Sequence, residues 1–89
     1  MNAEQKELLR DALLAALVTM SPQSLPMGTL QGTARAAGFN RDDAELAREV
    51  QYLVDKGMAE PVSVKLSAGV KRWKSTADAA DYCEEKGLV

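Results

Sequence analysis

Residues Gly38 to Gly57 read GFNRDDAELAREVQYLVDKG. Glycine at the start suits the left-handed residue that closes a preceding helix. Asn40 then reads as an N-cap, with Asp42 in the first turn and Asp43 three residues on, where the helix dipole favours negative charge. Leu46, Ala47, Val50, Leu53 and Val54 recur at three- and four-residue steps and predict one buried stripe. Gly57 is the expected stop. The stretch therefore reads as a turn, a capped helix and a terminator, with an apolar face and a charged face.

Working upstream, Met27 to Ala37 predicts a shorter helix with Met27, Leu30, Ala34 and Ala37 on one face. Gly28 and Gly32 weaken it, by roughly 1 kcal/mol for an interior glycine. Close approach of another helix would explain small residues there. Phe39, after Gly38, is expected to fold back onto the core. Ser21 to Pro26 is a loop with two prolines, and Ser24-Leu25-Pro26 is a candidate short extended edge. The first helix is expected from about Ala3 to Met20. Leu9, Ala12, Leu13, Ala16, Leu17 and Met20 form its stripe, widened by Leu8 and Leu14.

Downstream of Gly57 the period changes to two. Val62, Val64 and Leu66 alternate with Ser63 and Lys65, which predicts a strand. Pro61 donates no ladder hydrogen bond and suggests an edge or a strand start. Ser67-Ala68-Gly69 reads as a turn, and Val70 to Lys74 as the returning strand, with Trp73 and Lys71 on one face. Ser75-Thr76 opens a last short helix, with Ser75 and Asp78 at capping-box distance. Ala79, Ala80 and Cys83 point inward, and Gly87 ends it.

Length and composition bound what such a chain can do. Its 89 residues predict one domain, 1–89, with a single small core. Only Trp73, Phe39, Tyr52 and Tyr82 are aromatic, so Leu, Val, Ala and Met must build that core. The formal net charge of −2 is no electrostatic signature of a nucleic-acid binder, although charge can segregate between faces. Cys83 is the one cysteine and histidine is absent, which excludes an internal disulfide and the usual Cys/His zinc sites. No segment approaches the roughly 20 apolar residues of a membrane span. The N-terminal MNAEQKELLRD lacks the layout of a signal peptide, so the expected location is the cytoplasm. There is no Gly-rich phosphate loop, and no Ser or Cys beside a base. We expect no enzyme activity and no cofactor.

Three helices followed by a two-stranded hairpin is the winged helix-turn-helix order. VQYLVDKGMAEPV leading into a hairpin and then SAGVKRWKST carry the resemblance, which covers about residues 5 to 87. The fold class implied is α+β, a small winged helix with a three-helix core, a hairpin wing and a short C-terminal helix. More narrowly, the chain is similar to small winged-helix proteins of Mu-like prophages, through Ser21 to Leu25, Gly38-Phe39 and Arg41-Asp42. The resemblance implies a DNA-binding, transcription-regulator-like module.

Charge divides unevenly between the two expected DNA-facing elements. From Arg41 to Gly57 the chain sums to −2, with Arg41, Arg48 and Lys56 against five acids. Glu45, Glu49, Tyr52 and Asp55 are expected outward beside Arg41 and Arg48. That face reads in three ways: a solvated surface, base reading through Arg41 and Arg48, or docking to a protein through Glu45, Glu49, Tyr52 and Trp73. From Ala59 to Ser75 the sum is +3, from Lys65, Lys71, Arg72 and Lys74 against Glu60. Such a wing suits a phosphate backbone, and lysines on an edge hairpin equally prevent edge-to-edge pairing. Trp73 packs the hairpin onto the helices or forms a partner hot spot. The expected partners are double-stranded DNA or, alternatively, a protein or a second copy docking on the first helix through the wide arc of Leu8, Leu9 and Leu14, with no membrane partner.

Overall fold

The computed structural model describes residues 2–63 and 71–89. Helix α1 (Ala3–Thr19) opens with a reciprocal cap. The Asn2 side chain accepts from the Gln5 N–H at 2.8 Å, and the Gln5 side chain accepts from the Asn2 N–H at 3.2 Å. Leu9, Leu13, Leu14 and Leu17 are buried on its inner face. Leu8 stays 55% exposed. The wide arc expected for docking a second copy is thus corrected: Leu9 and Leu14 are used by the chain's own core, and only Leu8 is left over.

Strand β1 (Leu25–Pro26) follows, then α2 (Met27–Ala36). Leu30 and Ala34 bury against α1 and α3. Gly28 and Gly32 lie on the opposite side, where an added Cβ would meet nothing within 4 Å. No helix approaches them, so the close contact expected there does not exist. Helix α2 closes in a Schellman turn: Gly38 N–H bonds Arg35 O at 3.0 Å, and Phe39 N–H bonds Ala34 O at 2.8 Å. Gly38 has φ +91°, the conformation this turn requires. Phe39 folds back onto the core, half-buried.

Helix α3 (Asp43–Asp55) starts later than Asn40 would place it. Its N-cap is Asp42, whose Oδ1 accepts from the Glu45 N–H at 2.8 Å. Two acceptors within three residues compete for the role, and a carboxylate adds charge to the hydrogen bond at the positive end of the helix dipole. Leu46, Val50 and Leu53 are buried, Val54 is half-buried, and Ala47 is exposed rather than part of the stripe. The helix ends in a second Schellman turn, from Gly57 N–H to Val54 O at 3.0 Å and from Met58 N–H to Leu53 O at 2.9 Å.

Strands β2 (Ala59–Ser63) and β3 (Lys71–Ser75) pair antiparallel, with Pro61 opposite Trp73. Strand β1 pairs with the other side of β3, Leu25 opposite Trp73. The hairpin is therefore part of a three-stranded sheet of order β1-β3-β2. Pro61 sits on an outer strand, as its missing N–H requires. The expected strand residues Val64, Lys65, Leu66 and Val70 and the turn at Ser67 to Gly69 lie outside the described residues.

Helix α4 (Ala77–Lys86) is capped by Thr76, not Ser75. Ser75 is the last residue of β3, paired with Ala59, so its backbone belongs to the sheet. The Thr76 hydroxyl accepts from the Ala79 N–H at 3.3 Å and donates to Gly57 O at 2.6 Å, tying the start of α4 to the end of α3. One core results, with Leu9, Leu13, Leu17, Leu30, Leu46, Val50 and Cys83 fully enclosed.

Gly32 is an interior helical glycine with open space at its Cβ position. Gly32→Ala is therefore expected to stabilise the fold by about 0.4–1 kcal/mol. Urea unfolding checks this; a destabilised variant would mean that the outer face of α2 is covered.

Candidate nucleic-acid interface

The five acids of the α3 region are each held by a partner within the chain. Asp42 caps the helix. Asp43 accepts from Gln31 Nε2 at 2.7 Å, joining α2 to α3. Glu45 pairs with Arg41 at 3.8 Å. Glu49 accepts from Arg10 Nε at 2.6 Å, and Asp55 accepts from Gln51 Nε2 at 2.9 Å. Glu49 is only 8% exposed. Its outward, partner-contacting placement is corrected: it points to α1, because Arg10 stands opposite and neutralises it. Asp42, Glu45 and Glu49 line a groove of about 340 Å³ with Lys6 and Arg48.

The set that faces outward shares only Asp55 with these acids. Ala44, Ala47, Arg48, Gln51 and Asp55 are all exposed. Ala44, Arg48, Gln51 and Asp55 lie on the side of α3 opposite Leu46, Val50 and Leu53, and Ala47 lies at the edge of that side. Arg48 has no ion-pair partner among the described residues. Arg41 is half-buried beside Glu45, at the edge of this ridge.

Arg10 does a second job on the flank. Its guanidinium lies 3.6 Å from the centroid of the Tyr52 ring, and Lys56 approaches the same ring at 5.6 Å. One α1 side chain thus grips Glu49 and Tyr52, three residues apart on α3. Tyr52 remains 38% exposed. A groove of about 400 Å³ opens beside it, between α1, the end of α3 and α4, with Glu7, Asp11, Lys56 and Tyr82 among its walls. Sequence reading missed Arg10, since nothing local marks a partner 39 residues away.

Helix α4 is clipped to α1 by polar contacts on this side. Tyr82 Oη donates to Asp11 Oδ1 at 2.8 Å. Lys86 Nζ donates to Glu7 at 2.8 Å, and to Asp11 Oδ2 and Tyr82 Oη at 3.1 Å. The bond to Glu7, then those to Tyr82 and Asp11, hold the Lys86 ammonium well above the usual lysine range. Burial pushes the Tyr82 phenol and the Cys83 thiol up. For Lys86 and Tyr82 the raised values mean stabilisation that is complete below about pH 10 and lost as pH rises through the folded-state values. The clip is closed throughout the neutral range. Cys83 is a packed thiol, not a reactive one.

On the sheet, Lys71 is exposed and has no ion-pair partner among the described residues. Arg72 is anchored: Nε donates to Ser24 Oγ at 2.9 Å and Nη2 to Ser24 O at 2.8 Å. Lys74 lies 3.6 Å from Glu60 in an exposed pair, of a kind that contributes ~0–1 kcal/mol. Lys65 lies outside the described residues. Trp73 is 7% exposed and joins the core, so its assignment as a partner contact is corrected; it packs the sheet onto the helices.

No family model and no curated protein matches the sequence. Solved structures do. A mutant of Lactococcus lactis ZitR in apo form superposes with a TM-score of 0.69 at 16% identity, over 96% of this chain and 58% of that one. The adhesin competence repressor AdcR of Streptococcus pyogenes gives 0.66 at 22% identity, over 86% and 52%. A mutant of E. coli MarR complexed with operator DNA gives 0.64 at 18% identity, over 92% and 62%. The fold is a winged helix-turn-helix. It is α+β, with α2 and α3 as the helix-turn-helix pair, α3 in the recognition position and β2–β3 as the wing. The chain spans between about half and three-fifths of the length of these structures. Among the described residues no helix is long and apolar enough to cross a membrane.

The Arg10–Glu49 contact joins two side chains that are mostly buried. A double-mutant cycle of Arg10→Ala and Glu49→Ala is expected to give a coupling of about 1–2 kcal/mol, above the ~0.2–1 kcal/mol of an exposed pair. Coupling near zero by urea unfolding would show that α3 is held without this contact.

Proposed function

We infer that this chain is a DNA-binding winged-helix module of the transcription-regulator type. One observation carries the inference: the carboxylates of α3 are engaged within the chain, whereas Arg48 beside them has no ion-pair partner among the described residues. A segment sum of −2 therefore overstates how strongly the helix repels a phosphate backbone. The likeness to a MarR mutant complexed with operator DNA supports the same direction. Phosphate contacts come from Lys71 and Lys74, with Arg72 and Lys65 as further cations of the same sequence segment, and Arg48 and Arg41 make the helix contacts. Arg72 also has a structural duty, since its Nε and Nη2 are committed to Ser24. The module works without a cofactor and catalyses nothing. A prophage origin belongs to this proposal on the sequence motifs alone, and a cytoplasmic location goes with it as an expectation.

So few cations give weak, salt-sensitive binding. We expect a dissociation constant for generic duplex in the range ~10⁻⁴–10⁻⁶ M, with log K falling against log salt at a slope of about −3. Lys71→Glu is the cleanest charge reversal, because the Lys71 side chain makes no hydrogen bond or ion pair among the described residues; it should flatten the slope by at least about 1. Fluorescence anisotropy of labelled duplex over a salt series reads both quantities. Absence of salt-dependent binding at low ionic strength would sink the DNA reading and favour a protein partner.

A further inference from the structure

The outward ridge of α3 contains a residue type that the charge pattern did not single out. Gln51 is exposed one turn beyond Arg48, between Ala47 and Asp55. Its Nε2 donates to Asp55 Oδ1 at 2.9 Å. An ionised carboxylate only accepts, so the amide nitrogen must face Asp55, and Oε1 points the other way. The contact therefore fixes which end of the amide is which. It uses one of the two N–H groups, leaving one donor and one acceptor side by side.

We propose that Gln51, oriented by Asp55, reads an adenine, and that Arg48 reads a guanine close to it in the major groove. This rests on the DNA-binding reading above. A glutamine amide matches the major-groove edge of adenine: Oε1 accepts from N6–H and the remaining Nε2–H donates to N7. Arg48 matches guanine, donating to O6 and N7. The two side chains leave α3 three residues apart, about 5–6 Å between Cβ atoms, and successive bases are about 3.4 Å apart. One helix therefore reaches neighbouring base pairs with both. Ala44 and Ala47 add no bulk to the ridge and let the helix lie close to the base edges. Asp55 is a positioning residue: it holds the amide, and the bond to Gln51 moderates its own repulsion by phosphate.

The test is selection of binding sites from a random duplex pool, followed by sequencing, with the full chain. Wild type should enrich a guanine with an adenine within one or two base pairs, each preferred by roughly 5- to 150-fold over other bases. Gln51→Ala should erase the adenine preference and keep the guanine. Arg48→Ala should do the reverse. Asp55→Ala should lower the adenine preference while the thermal midpoint stays near that of wild type, an effect that a purely structural role would not produce. Salt-dependent binding with no enriched motif, or an adenine preference that survives Gln51→Ala, overturns the assignment and leaves DNA binding intact. No binding to any duplex overturns both.

Discussion

The contact between Arg10 and Glu49 decides what α3 presents to its surroundings. Leu46, Val50 and Leu53 bury α3 against the core and supply most of its attachment. Apolar burial is non-directional and leaves the helix free to roll by small angles. The Arg10 guanidinium removes that freedom, because it bonds Glu49 at 2.6 Å and lies 3.6 Å from the Tyr52 ring centroid. The clamp is also needed electrostatically. A carboxylate as enclosed as Glu49 is unfavourable without a cation beside it, because little water is left to solvate its charge. The result is a helix whose Glu45 and Glu49 turn to the flank and whose Arg48–Gln51 ridge, with Asp55 at its end, turns outward.

The wing follows a similar logic with opposite charges. Arg72 spends two donors on Ser24 and so joins β3 to the segment leading into β1. Trp73, one residue along, inserts into the core between Leu25 and Pro61 on the neighbouring strands. Two consecutive residues of β3 thereby do different work, Arg72 holding the segment before β1 and Trp73 fixing the sheet to the helices, while Lys71 and Lys74 stay near the solvent side. Basic character on the wing is partly structural and partly available.

Much of the fold was legible because it depends on local spacing. The Leu9–Leu13–Leu17 and Leu46–Val50–Leu53 steps, the glycines at Gly38 and Gly57 and the edge at Ser24 to Pro26 all follow from period and turn chemistry. Caps were less legible. Asn40 and Asp42 are both good acceptors, as are Ser75 and Thr76, and the choice is made by where the chain leaves α2 or the sheet. Gly28 and Gly32 have no packing partner, which no sequence spacing reveals. The site was hardest to read. Counting charges on α3 treated Glu49 as free, whereas its partner lies 39 residues upstream. Gln51 escaped notice because it is neutral, and its orientation depends on Asp55.

The most direct test is a chemical-shift map of the backbone amides while a duplex is titrated in at low salt. The largest changes should fall at Ala44, Ala47, Arg48 and Gln51 and on the wing at Lys71, with Arg10, Glu49 and Tyr82 nearly still. Changes centred on the Arg10–Tyr52 flank, with a silent Arg48–Gln51 ridge, would contradict this.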